Sequence, residues 1–130
     1  ERTIWIDCDV IEADGGTRTA AINGSFIAMY DCFSNLVSQN IIKEMPIKNF
    51  LAAISVGIVN NNIIADLCFA EDSNAQVDMN VVMDSSGNFI EIQASAEGST
   101  FSRKQFDEMI DLSVKALNEI IDLERKTIMS

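Results

Sequence analysis

Between residues 2 and 12 the chain alternates, with Ile4, Ile6, Cys8 and Val10 on one side and Trp5, Asp7 and Asp9 on the other. That period of two predicts a strand with one buried face from Arg2 to Glu12. Gly15-Gly16 breaks the pattern, and from Thr17 the period changes. Ile22, Phe26, Met29, Tyr30, Phe33, Leu36 and Val37 recur at helical spacing, which predicts a helix reaching about Gln39. Ala20, Gly24 and Ala28 form a narrow small-residue stripe on that helix, read as a core contact. Lys43 to Lys48 contains the only proline, Pro46, and reads as a connector.

Beyond the connector the pattern turns to strands. Ala52 to Val59 (AAISVGIV) is a short apolar run, Asn60-Asn61-Asn62 a tight turn, and Ile63 to Phe69 a second short strand, which together predict a hairpin. Gln76 to Met83 and Phe89 to Gln93 flank Asp84-Ser85-Ser86-Gly87-Asn88, a second hairpin with glycine where a positive φ is expected. Ser102 stands three residues before Gln105, the capping-box spacing, and opens a long helix. Phe106, Met109, Ile110, Val114, Leu117, Ile120 and Ile121 form its apolar stripe. The order strand, helix, four strands, helix predicts an α+β fold, with a mostly antiparallel sheet and helices packed on one face. There is no internal repeat and no low-complexity segment.

Composition narrows the classes of function. With 130 residues, 48% of them hydrophobic, the chain can bury one compact core. No apolar run approaches the roughly 18 residues of a membrane span, and no export signal opens the chain. The expectation is a cytoplasmic protein with no membrane partner. The opening Glu1-Arg2-Thr3-Ile4-Trp5 lacks an initiator methionine and runs directly into a strand pattern, so the chain is expected to be part of a longer protein. Cys8, Cys32 and Cys68 are far apart in apolar stretches and read as buried reduced thiols. The absence of histidine excludes Ser-His and Cys-His nucleophilic mechanisms and the usual zinc sites. Nine Lys plus Arg against 20 Asp plus Glu give a net charge of −11, a surface that repels nucleic acid unless another segment supplies basic groups.

Two constellations carry candidate chemistry. In ADGGTRTAA, Ala13 to Ala21, a double glycine opens a helix whose first turn offers unpartnered N–H groups and the positive end of the helix dipole. Gly15 and Gly16 let a ligand approach the backbone, Thr17 and Thr19 offer hydroxyls, and Arg18 offers a planar fork for two phosphate oxygens. The bland alternative is an N-cap at Thr17 and a solvated Arg18. The lysine of a P-loop is missing, which argues against nucleoside triphosphate binding in that style. In CFAEDSNAQVDMNVVM, Val77, Met79, Val81 and Met83 face the core while Asp78 and Asn80 share the other face. Asp72 lies in a loop that can fold back beside Asp78, and two convergent carboxylates suit Mg²⁺ or Mn²⁺, or a general acid. An ordinary polar strand face with an Asx turn at Asp72 is the alternative. Asp7 and Asp9 share a face that reads as solvated, Glu71 carries no role, and Glu91 and Glu97 have no obvious partner.

The strings RTIWIDCDVIEADGGTRTAAING, KEMPIKNFLAAISVGIV and AEDSNAQVDMNVVMDSSGNFIEIQASAEGSTFSR closely resemble the second half of the bacterial ribonuclease PH family, in order and over essentially the whole chain. The resemblance implies a phosphorolytic 3′→5′ exoribonuclease that trims tRNA 3′ ends with inorganic phosphate and releases nucleoside diphosphates. It implies phosphate binding by Gly16, Thr17 and Arg18, and catalysis and divalent metal binding, Mg²⁺ or Mn²⁺, by Asp72 and Asp78. It also implies a ribosomal-protein-S5-domain-2-like fold, with residues 1–42 the tail of a first unit, 43–50 a connector and 51–130 the C-terminal unit. The implied partners are a tRNA or other single-stranded RNA 3′ end, further copies in a hexameric ring of dimers, and the family's N-terminal half. That half carries further phosphate and RNA contacts, so an acidic C-terminal half is compatible with an RNA enzyme. Gln76 and Ala94 depart from the family's usual acidic residue and glycine, away from the matched site positions. A non-catalytic ring subunit of the same superfamily is the alternative, and retention of Thr17, Arg18, Asp72 and Asp78 favours the enzyme. An RNA-independent small-anion binding domain is a third reading.

Overall fold

The computed structural model describes residues 3–128, in the order α1 (Thr17–Ser38), β1 (Leu51–Val59), β2 (Asn62–Ala65), α2 (Phe69–Asp72), β3 (Val77–Asp84), β4 (Phe89–Ala96) and α3 (Arg103–Ile128). The four strands form one sheet in the order β2-β1-β3-β4, and every neighbouring pair is antiparallel. The α+β expectation holds.

β1 is the central strand. Ala52, Ile54, Val56 and Ile58 meet Val77, Met79, Val81 and Met83 of β3 and Met109, Leu117 and Ile121 of α3 in the main core. The alternate residues Ala53, Ser55 and Gly57 are buried on the other face, which explains why AAISVGIV reads as an unbroken apolar run. α3 lays its stripe over the first face. Ser102 and Gln105 form the expected capping box, with Gln105 Oε1 accepting from the Ser102 amide at 2.9 Å and Ser102 Oγ from the Gln105 amide at 3.2 Å.

α1 runs against β1 beyond the end of β2. There the Ala53 amide donates to Asn23 Oδ1 at 2.7 Å, and Asn23 Nδ2 donates to the Ala53 carbonyl at 2.9 Å. The side-chain amide thus replaces a missing strand partner. Phe26 and Tyr30 of α1 meet Phe50 at centroid distances of 5.5 and 5.8 Å, and the Arg125 guanidinium of α3 lies 5.3 Å from the same ring. That cluster ties α1, the approach to β1 and α3 together.

Several expectations are corrected. The predicted strand from Arg2 to Glu12 forms no ladder: residues 3–10 take no regular secondary structure and pair with none of the described strands, and Arg2 lies outside the described residues. Ile4, Ile6 and Val10 stay exposed, and the segment touches α1 through Cys8, whose Sγ lies 3.1 Å from Ser25 Oγ. The cysteines are free, but Cys8 and Cys32 are exposed and Cys68 is half-buried. Ala20, Gly24 and Ala28 are exposed, and nothing lies within 4 Å of a Cβ placed at Gly24, so the small-residue stripe is no core contact. The second strand of the first hairpin ends at Ala65 and not Phe69, because Asp66 takes a left-handed φ of 60° and gives its amide to the Ser55 carbonyl.

Candidate functional site

Gly16 is the N-cap of α1, with φ 66° and no side chain capping the helix. The first bond of the helix runs from the Ala20 amide to the Gly16 carbonyl, so the amides of Thr17, Arg18 and Thr19 have no capping partner. No acidic side chain sits in this turn to neutralise the helix dipole. A Cβ at Gly15 would run into the Leu67 carbonyl, which only glycine permits. Asp14 accepts a 2.6 Å bond from the Phe69 amide. Through Asp14 and Gly15 the turn is docked onto the segment that begins α2 and carries Asp72.

The same turn lies over the sheet. A Cβ at Gly16 would be 3.5 Å from Ser55 Oγ, and Ser55 belongs to the face opposite α3. Ser55 pairs with Asn80, and Asp78 with Gly57 one row further, so about 7 Å along the strand separates the rows of Ser55 and Asp78. Ser55 Oγ is buried without a hydrogen-bond partner among the described residues.

Thr17 and Arg18 are exposed at this turn, as the sequence predicts. Thr19 is not: it is 4% exposed and its hydroxyl donates to the Gly16 carbonyl at 2.9 Å, so it shapes the turn and leaves anion contact to Thr17. Arg18 Nη2 donates to Glu91 Oε2 of β4 at 2.9 Å. Glu91 and Val82 are register partners, and Val82 pairs with Ala53 of β1, so the arginine reaches across this face of the sheet.

The carboxylates converge as well. Asp72, Asp78 and Glu97 line a cleft of about 310 Å³ together with Ser73, Ala75 and Ser95. Burial raises the Asp78 pKa, the charge of Asp72 raises it further and that of Glu97 adds to it, while a hydrogen bond from the Met79 amide opposes the shift. No basic side chain lines the cleft. Repulsion of this kind is relieved by a divalent cation, and Mg²⁺ is typically held by one or two carboxylates with water completing its shell. Asp72 and Asp78 therefore fit such an ion, although no group of three or more metal-ligating side chains is found among the described residues. Glu71 faces backward and accepts from the Cys68 amide at 2.9 Å, away from the cleft. Asp7 and Asp9 are exposed on the unpaired N-terminal segment, apart from this site.

Sequence reasoning missed that Glu91 pairs with Arg18 and that Glu97 lines the carboxylate cleft. The signal was present in register: β4 residues opposite Val82, Asn80 and Asp78 must share their face, which places Glu91, Gln93 and Ser95 there. A register irregularity beside Met83, with Val82 opposite Glu91 and Met83 opposite Phe89, made that register hard to count.

Known proteins resemble the chain in sequence and in fold. A family model described as the 3′ exoribonuclease family, domain 2, covers residues 49–116. Ribonuclease PH of Syntrophomonas wolfei is 57% identical over 99% of the chain and 54% of its own length. Ribonuclease PH of Moorella thermoacetica is 51% identical, over 98% of the chain and 51% of its own length. The chain thus spans about half the length of these curated relatives. Among solved structures, rice Rrp46 superposes with a TM-score of 0.71 at 22% identity, over 92% of this chain and 51% of its own. An archaeal exosome core gives 0.55 at 22% identity, over 62% of this chain and 32% of its own. These structural likenesses speak for the fold. Sequence and fold together place the chain in the 3′ exoribonuclease family, as a counterpart of the C-terminal half of ribonuclease PH.

Proposed function

We propose that the chain is the C-terminal half of a phosphorolytic 3′→5′ exoribonuclease that trims tRNA 3′ ends. The observation that supports this reading is the docking of the Gly15-Gly16 turn onto the segment that carries Asp72, which lines one cleft with Asp78. In the reaction an oxygen of inorganic phosphate bonds to the phosphorus of the terminal nucleotide. The bond from that phosphorus to the penultimate 3′ oxygen breaks, a nucleoside diphosphate leaves, and the shortened RNA recovers its 3′ hydroxyl.

Phosphate is already a nucleophile at neutral pH, so the residues have chiefly to orient it. The open amides of Thr17, Arg18 and Thr19, with the Thr17 hydroxyl and the Arg18 guanidinium, bind its oxygens. Asp72 and Asp78 would hold Mg²⁺ or Mn²⁺, which would supply positive charge beside the scissile phosphodiester and the departing 3′ oxygen. Residues 1–42 are the tail of a first unit, 43–50 a connector and 51–130 the second unit. The rest of the protein supplies the basic groups that a surface of net charge −11 lacks, and the whole assembles as a hexameric ring of dimers.

A second reading, a non-catalytic ring subunit, draws on the likeness to exosome subunits. The retained Arg18, Asp72 and Asp78 weigh against it. The test is phosphorolysis of a tailed RNA by the whole enzyme that contains this chain. Arg18→Ala is expected to raise the phosphate KM by about tenfold or more, the loss of a charge-assisted contact. Asp78→Ala is expected to abolish turnover with a smaller effect on phosphate binding. Equal phosphorolysis by wild type and both variants would overturn these assignments.

A further inference from the structure

An arginine on the first turn of a helix is long and flexible, and it serves an anion best when its guanidinium is already in place. Here something places it. Arg18 Nη2 donates to Glu91 Oε2 at 2.9 Å, a contact between residues 73 positions apart. Glu91 projects from β4 in the row Ala53, Val82, Glu91, so the arginine passes from α1 across two strands to reach it. Val82 at the middle of that row is 4% exposed. Only Nη2 is engaged: the Nε and Nη1 donors have no partner among the described residues. A guanidinium held at one corner keeps its remaining donors for a second ligand.

We propose that Glu91 is a positioning residue of the phosphate site, holding the Arg18 guanidinium over the sheet face with its free N–H donors turned toward the anion at the first turn of α1. The proposal rests on the reading of that turn as a phosphate seat. Both side chains are partly exposed, at 50% for Arg18 and 37% for Glu91, and exposed ion pairs add little to folding stability. The effect of the pair therefore belongs to phosphate binding and not to the fold. Two opposed influences act: the Glu91 charge repels phosphate, and its grip orders the arginine. Ordering dominates, because that charge is already paired with Arg18.

The experiment is steady-state phosphorolysis by the whole enzyme, separating the phosphate KM from kcat, with thermal melting of each variant alongside. Glu91→Ala should raise the phosphate KM about fivefold with kcat within about twofold. Glu91→Gln keeps an acceptor at the same reach and should restore the KM to within about twofold of wild type. Glu91→Asp, one methylene shorter, should fall between them and serves if the alanine variant fails to fold. Arg18→Ala combined with Glu91→Ala should be no worse than Arg18→Ala alone. A raised KM in Arg18→Ala with an unchanged or lowered KM in Glu91→Ala and Glu91→Asp would overturn the role of Glu91 and leave the phosphate seat standing. An unchanged KM in Arg18→Ala would overturn the seat itself, and the role of Glu91 with it.

Discussion

Glu124 shows at the scale of one side chain what the fold imposes. It continues the buried stripe of α3, is 3% exposed, and neither carboxylate oxygen has a hydrogen-bond partner among the described residues. Burial pushes its pKa from 4.5 up to about 7. Because the folded form binds this proton more tightly than the unfolded form, this group's contribution to stability is fully present below about pH 4.5 and is lost as the pH rises through 7. The loss reaches up to about 3 kcal/mol from this group. Glu124→Gln should therefore raise Tm at pH 8 and change it little near pH 4.5, a difference that thermal melts at the two pH values would show. An equal effect at both would contradict the burial account. Single residues were unevenly legible in the sequence. Glycine spacing singles out Arg18 and strand alternation Asp78, while Asp72 reads as a loop residue and draws notice only beside Asp78. Glu91 does not stand out, because its meaning depends on a partner 73 residues away. Thr19 was misassigned as an anion donor because nothing in the spacing distinguishes it from Thr17.

Among the elements, both hairpins were readable because their signals are local. Asn60 and Asn61 take φ of 50° and 64°, the paired positive values of a two-residue hairpin turn, and Gly87 takes φ 83° in the second. The end of α1 was legible in position but not in cause: Asn40 at φ 57° closes it, with the Ile41 amide bonded to Leu36 and the Asn40 amide to Val37. The N-terminal segment was overread, since alternation reports which side is covered while a ladder requires a neighbour that no local pattern names. The contact between α1 and β1 gives the prediction at this scale. Asn23→Ala leaves the Ala53 amide and carbonyl without their partner and should cost about 1–3 kcal/mol, read as a shifted urea midpoint. Asn23→Asp, which keeps the acceptor and loses the donor, should cost less than alanine at pH 8. An unshifted midpoint in the alanine variant would show that water replaces the amide.

For the molecule as a whole, fold class was legible from element order, but the strand order β2-β1-β3-β4 was not, because it depends on long-range pairing. The net charge of −11 has a consequence at this scale: the chain by itself should bind single-stranded RNA weakly, with little anisotropy change in about 150 mM salt, while the whole enzyme binds it. Tight RNA binding by the chain alone would mean that its own surface suffices. The most direct test of the central claim is the identity of the nucleotide released from a tailed RNA by the whole enzyme with Mg²⁺, with and without inorganic phosphate. The account predicts nucleoside diphosphates, formed only when phosphate is present and lost in Asp78→Ala. Nucleoside monophosphates released equally in phosphate-free buffer would show that water is the nucleophile and contradict it.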